Sequence, residues 1–237
     1  MQNNIILIPI YNDWNSLNIL LKKIIDLKIL KKKIEIIIVN DFSKQKIYIK
    51  SFLFKKKLNI KVINLKKNIG SQRCIAVGLN YIERNYFNSN IIIMDGDGED
   101  NPELIKKLLN FSKKNYKAIV VNRTIRTENL FIKILYEINF INFLLLTHKF
   151  IRFGNFSLLK SNIINKIKNS NDLWLAYPST IIKNIKNIGM VFAKKEMRYA
   201  GKSKMSYLNL FTHVIRILCV LRMKIFFNSI LYLILLI

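Results

Sequence analysis

Ile91-Ile92-Ile93-Met94-Asp95-Gly96-Asp97-Gly98-Glu99-Asp100-Asn101-Pro102-Glu103 is a short apolar run that breaks into a cluster of acids. The first four residues read as a buried strand and Pro102 as the opening of a helix. Four of the chain's fourteen acidic residues lie between them, and a fifth, Glu103, follows directly. Hard oxygen donors gathered at a strand end suit magnesium or manganese, above all where the ion must also hold substrate phosphates. Gly96 and Gly98 alternate with the acids in a chain that has only seven glycines. The plain alternative is a solvated acidic loop that caps the following helix.

Working outward, four more β-branched runs read as strands, over residues 5–10, 34–39, 60–65 and 118–121. The segments 16–30, 44–57, 71–86 and 102–114 carry apolar residues at helical spacing with lysines opposite, and predict helices. Strand and helix alternate four times, which predicts an α/β fold with a mostly parallel, Rossmann-like sheet covered on both faces. Ligands of such sheets bind beyond the carboxyl ends of the strands. The polar residues Pro9-x-Tyr11-Asn12-Asp13, Asn40-Asp41-x-Ser43, Asn68-x-Gly70, the acid box and Asn122-Arg123 all fall at those ends. Residues 189–199 are a further strand candidate.

At 237 residues the chain holds one substantial domain with a small appendage. We divide it into residues 1–204 and an amphipathic, apolar segment over 205–237. The formal charge of +26 allows an anionic partner, but Lys, Asn and Ile dominate throughout, as expected of an AT-rich genome. No zinc-finger, helix-turn-helix or aromatic ribonucleoprotein signature is present, so nucleic acid is not an expected partner. Cys74 and Cys219 stand alone, which argues against a disulfide scaffold or zinc site, and the N-terminus shows no secretion signal.

Residues 130–147 read as an amphipathic helix. The tail, residues 225–237, is almost wholly apolar, but thirteen helical residues reach only about 20 Å, short of a bilayer core of about 30 Å. We expect this end to dip into the cytoplasmic face of the cell membrane, with Arg216, Arg222 and Lys224 at anionic headgroups. The alternative is burial within the domain or in a homo-oligomer.

Together with Arg198-x-x-Gly201-x-Ser203-Lys204, these motifs resemble family 2 glycosyltransferases, close to the polyprenyl-phosphate (dolichol-phosphate) sugar transferases, over nearly the whole chain. The resemblance implies a GT-A, nucleotide-diphosphosugar transferase fold and an inverting, metal-dependent sugar transfer. It places a UDP- or GDP-linked donor on Pro9, Tyr11, Asn12, Asp13, Asn40, Asp41, Ser43, Gly70 and Asp95. It places Mg or Mn on Asp95, Asp97 and Glu99, with Asp97 and Arg198 catalytic, and a lipid-phosphate acceptor on Arg123, Arg198, Ser203 and Lys204. Asp13 stands where the family usually has Glu, Asn40 where it has Asp, Glu99 where it has Gln, and Asn155 where lipid-phosphate members often have Asp.

A lipid phosphate needs cations to position it but no strong base. A hydroxyl on a lipid-linked oligosaccharide, the alternative acceptor of surface-polysaccharide assembly, needs a carboxylate. Glu128, Glu137, Asp172 and Glu196 are then the candidates, with Asp172 beside Trp174 the first choice. A reading from another class is a non-catalytic nucleotide-sugar or lipid-binding partner, against which Asp95 and Asp97 speak.

Overall fold

The computed structural model describes residues 3–27, 34–46, 48–49, 59–124, 137, 140–141, 144–146, 150–168, 170–201 and 207–236. The central strands, β1 (Asn3–Ile10), β2 (Ile34–Asn40) and β4 (Ser89–Ile93), are β-branched and hidden along nearly their whole length. Runs buried on both sides belong in the middle of a parallel sheet. At its two ends β3 (Asn59–Asn64) and β7 (Ile188–Ala193) are more exposed, as edge strands are. With β5 (Ala118–Arg123) and β6 (Ser157–Lys160), the order is β3-β2-β1-β4-β6-β5-β7.

Helices cover both faces. Alternate residues of β1 point opposite ways: Ile6 and Ile8 join α1 (Trp14–Asp26) and α3 (Leu104–Phe111), while Ile5 and Leu7 join α2 (Ser71–Asn85). Each such isoleucine contributes roughly 1.5–3 kcal/mol by leaving water. α2 lies hard against β1 at Gly78, where a Cβ would fall 2.3 Å from Leu7 Cδ1. The second face is completed by a 3-10 turn (Ser161–Ile163), α4 (Ile164–Ile167), α5 (Asn171–Leu175) and α6 (Tyr177–Asn184).

The five expected strands and three of the four expected helices form. In the fourth, residues 44–46 and 48–49 are not helical, and the rest of 44–57 lies outside the described residues. Most of residues 130–147 also lies outside them. The strand expected over 189–199 stops at Ala193, and the remainder is a strap without regular secondary structure.

β6 was not foreseen, and it matters for the site. It runs antiparallel to both β4 and β5, so its start, not its end, reaches the edge where β1, β2 and β4 finish. That reversal delivers Asn155 to the acid box.

At the end of the described chain, α7 (Tyr207–Val220) packs on α5 and α6, and α8 (Arg222–Leu236) follows it. Among the described residues no helix is long and apolar enough to cross a membrane.

Candidate active site

The acid box follows β4 and folds back on itself. The Asp95 backbone N–H donates to Asp100 Oδ2 at 3.0 Å, and the Glu99 N–H donates to Asp97 Oδ1 at 3.0 Å. Gly98 makes the turn with φ of 93°, a conformation that L side chains rarely adopt. A Cβ there would also strike the Tyr199 ring at 2.4 Å, so this glycine serves the turn and the strap as well as any ligand approach.

The strap that follows β7 lies along the box. Glu196 N–H donates to Glu99 O at 3.0 Å and Tyr199 N–H to Asp97 O at 2.9 Å. Lys195 Nζ stands 3.0 Å from Glu99 Oε2. The Arg198 guanidinium bridges two loops, with Nη1 donating to Asp97 Oδ2 at 2.7 Å and Nη2 to Asp13 Oδ2 at 2.9 Å. Its Nε is buried without a partner. From the other side, Arg123 Nη2 donates to Asp100 Oδ1 at 3.2 Å.

These bonds join five carboxylates, Asp13, Asp95, Asp97, Glu99 and Asp100, to three cations, Arg123, Lys195 and Arg198. Fully ionised, the cluster is two positive charges short, the charge of one divalent ion. Crowding shows in the proton affinities. Loss of water, then repulsion from Asp100 and Asp97, pushes the Asp95 carboxyl up to about 7. Loss of water and Glu99 raise Asp97, and loss of water raises Asp100 even against Arg123. Burial works against the charge on Arg123, but Asp100, Asp95 and Glu99 hold it above its ordinary value.

The loops that follow β1, β2 and β3 are tied to one another. Asp41 Oδ1 and Oδ2 accept the N–H groups of Ile69 and Gly70 at 2.7 and 2.9 Å, with Gly70 at φ of 88°. Asn40 accepts from Ser43 N–H at 3.1 Å and donates to Asn64 Oδ1 at 2.9 Å. Ser43 Oγ in turn accepts the Asn12 N–H at 2.8 Å. Pro9 is buried at the end of β1, and Tyr11, 38% exposed, stands at the rim. A cavity of about 260 Å³ lies between Asn12, Asp13, Trp14, Gln45 and Gly201.

The structure thus brings Asp13, Asp95, Asp97, Glu99, Arg123 and Arg198 into one cluster. Ser203, Lys204 and Glu128 lie outside the described residues. Asp172, expected as a general base, has other partners: Lys183 Nζ at 2.6 Å and Arg222 Nη1 at 3.0 Å. Although burial alone would raise its carboxyl, these two cations hold it below the ordinary range, which makes it a poor base. Its place is a joint between α5, α6 and the α7–α8 corner, where Lys183 also donates to Val220 O at 3.0 Å.

Lys195, Tyr199, Asp100 and Gln72 belong to the cluster or its support, and sequence reasoning did not single them out as site residues. Only Asp100 carried a signal, as a member of the acid run.

Comparison with known proteins bears on the family and the fold. The Glycosyl transferase family 2 pattern matches residues 5–168. The chain belongs to this family. A glycosyltransferase of Synechocystis, sll0501, itself uncharacterized, is 27% identical over 85% of this chain and 64% of its own length. The undecaprenyl-phosphate 4-deoxy-4-formamido-L-arabinose transferase of Photorhabdus laumondii is 31% identical over 54% of this chain and 39% of its own length. The chain therefore spans less than two thirds of these relatives. Glucosyl-3-phosphoglycerate synthase of Mycobacterium tuberculosis, solved with Mn2+ and uridine-diphosphate-glucose, superposes with a TM-score of 0.65. That match covers 94% of this chain and 79% of the other at 9% identity, which establishes a GT-A fold.

Proposed function

We propose that this glycosyltransferase moves a sugar, with inversion, from a nucleoside-diphosphate donor to a polyprenyl phosphate. The observation that carries the reading is the charge balance of the box: carboxylates held together at the strand ends, two cations short, beside arginines that can face phosphate.

Asp95, Asp97 and Glu99 are the hard oxygen donors that Mg2+ or Mn2+ prefers, so the donor set fits. Among the described residues no three acidic, histidine or cysteine side chains converge at ligating reach, because Arg198 and Lys195 take up oxygens of Asp97 and Glu99. Those cations must swing away for an ion to be held. A bound ion would neutralise the charge that gathers on the departing diphosphate. Arg198 and Lys195, once released, orient anionic oxygens, and the loops of Asn12, Asn40 and Asp41 hold the nucleotide.

The engagement of the described candidate bases supports the choice of acceptor. Of the candidate bases, Asp172 pairs with Lys183 and Arg222, Glu137 with Arg152 at 2.7 Å, and Glu196 accepts from Asn101 at 3.3 Å. An acceptor that arrives already ionised needs none of them, which favours a lipid phosphate over a sugar hydroxyl. The name of the Photorhabdus relative points to the same acceptor class. Exposed Leu208, Phe211, Met223, Phe226 and Phe227 on α7 and α8, with Arg216, Arg222 and Lys224 on the same helices, suit a lipid surface with anionic headgroups.

The test is to incubate membranes carrying the protein with labelled nucleotide sugars and extract the lipids. A labelled monosaccharide-phospholipid is the expected product. A labelled oligosaccharide-lipid would move the acceptor to a hydroxyl, and no label with any donor would remove the enzymatic reading.

A further inference from the structure

Gln72 in the first turn of α2 and Asn155 before β6 are 83 residues apart, yet Gln72 Nε2 donates to Asn155 Oδ1 at 2.9 Å. Both are buried, each 8% exposed. Asn155 Nδ2 then donates to Asp95 Oδ1 at 2.9 Å. At the far end, the backbone N–H of Tyr177 donates to Gln72 Oε1 at 2.8 Å.

The last of these contacts sets the direction of all the others. A backbone N–H can only donate, so the oxygen of Gln72 must face Tyr177 and its NH2 must face Asn155. The Asn155 oxygen is then committed to Gln72, and its NH2 must face Asp95. Three elements, α6, α2 and the β6 approach, thereby guarantee that Asp95 meets a donor. Arg123 is bonded instead to Asp100.

We propose that Gln72 and Asn155 form a positioning relay for Asp95, holding Oδ1 so that the carboxylate is presented to the divalent ion and diphosphate of the donor. The inference rests on the reading of Asp95 as a ligand of that complex. Gln72 touches neither ion nor substrate and acts only through Asn155. Partners of ligands in this position alter metal affinity by about 10–100-fold when removed.

A double-mutant cycle on the full chain separates a relay from two independent packing residues. Asn155→Leu removes the donor at similar size, and Gln72→Met removes the group that orients it. The readout is the Kd for Mn2+ in the presence of UDP, taken by electron paramagnetic resonance of the free ion, with melting temperature as the folding control.

Asn155→Leu should weaken Mn2+ binding about tenfold or more, Gln72→Met by less, and the double variant no further than Asn155→Leu alone. Additive effects, or wild-type affinity in both single variants, would overturn the relay. Asp97→Asn run alongside distinguishes the two failures. If Asp97→Asn loses Mn2+ while the relay variants keep it, the box is a metal site without a relay. If the wild type and Asp97→Asn bind alike, or neither binds, the metal reading falls and the relay's role falls with it.

Discussion

Asp95 and Asp172 are both drawn out of bulk water, one at the end of β4 and the other in the first turn of α5, but their surroundings are opposite. Asp172 is 5% exposed and meets two cations, one on each oxygen. Asp95 is partly exposed, accepts a hydrogen bond from a neutral amide among the described residues, and has Asp97 and Asp100 as neighbours. The first carboxyl is held below its ordinary range and the second is pushed up to about 7. The joint leaves no negative charge uncompensated, whereas the site keeps a deficit of positive charge that a ligand can complete.

The largest effect is expected at the box. Asp97→Asn keeps the shape of the side chain and removes half of the local charge deficit. Sugar transfer should fall about 100- to 1,000-fold, as losses of preorganised charge stabilisation do, with the melting temperature little changed. Retained transfer in a lipid-extraction assay would end the assignment of Asp97 to the metal and diphosphate.

At the joint, Asp172→Asn should leave the chemistry alone and lower stability. Breaking a fully buried pair costs about 3–5 kcal/mol. The Arg222 side chain is 60% exposed and remains hydrated after the loss, so about 2 kcal/mol is expected here, read from urea denaturation. A carboxyl with a lowered folded-state value contributes stability that is present above its unfolded value, near 3.9, and is lost as pH falls through the folded one. The penalty of Asp172→Asn should therefore shrink between pH 7 and pH 3. A loss of transfer larger than the loss of folded protein would return Asp172 to the list of bases.

Much of this architecture was legible because strong local patterns carried it. Buried β-branched runs and the helical spacing of α1, α2 and α3 placed five strands and the edge where their loops meet. Features that depend on long-range pairing were not. β6 has only four residues, too few for a period, and its antiparallel direction shows only once β4 and β5 flank it. Asn155 therefore read as a missing acid, whereas in the fold it is the donor that Asp95 needs. Asp172 drew notice as an acid beside Trp174. Its partners, 11 and 50 residues away, could not be picked out among forty basic residues. For the same reason Arg198 was legible by motif, while Lys195, equally close to the box, was not.

Arg198 tests whether the strap stands in for the metal. Arg198→Gln leaves Asp13 and Asp97 without their shared cation, so the metal-free chain should lose about 1–2 kcal/mol. Mn2+ should then raise the melting temperature of the variant more than that of the wild type, because the ion no longer competes with a guanidinium. Equal shifts in the two proteins would mean that Arg198 and the ion do not share Asp97.

The smallest effect is a pH dependence, and it runs opposite to that of the joint. With its folded-state value raised to about 7, Asp95 contributes stability that is fully present below about pH 3.9 and is lost as pH rises through 7. Above that point the metal-free box carries its full repulsion, and a divalent ion no longer has to displace a proton from Asp95. The rise in melting temperature caused by Mn2+ should therefore grow from pH 6 to pH 8. An increment of about 1 kcal/mol, roughly 2–4 °C for a chain of this size, is expected. Asp95→Asn has no proton to lose in this range, so it should flatten the trend, while Asp172→Asn should leave it intact. If the trend survives in Asp95→Asn, the titrating group lies elsewhere, and the contrast between an unfinished site and a finished joint loses its site half.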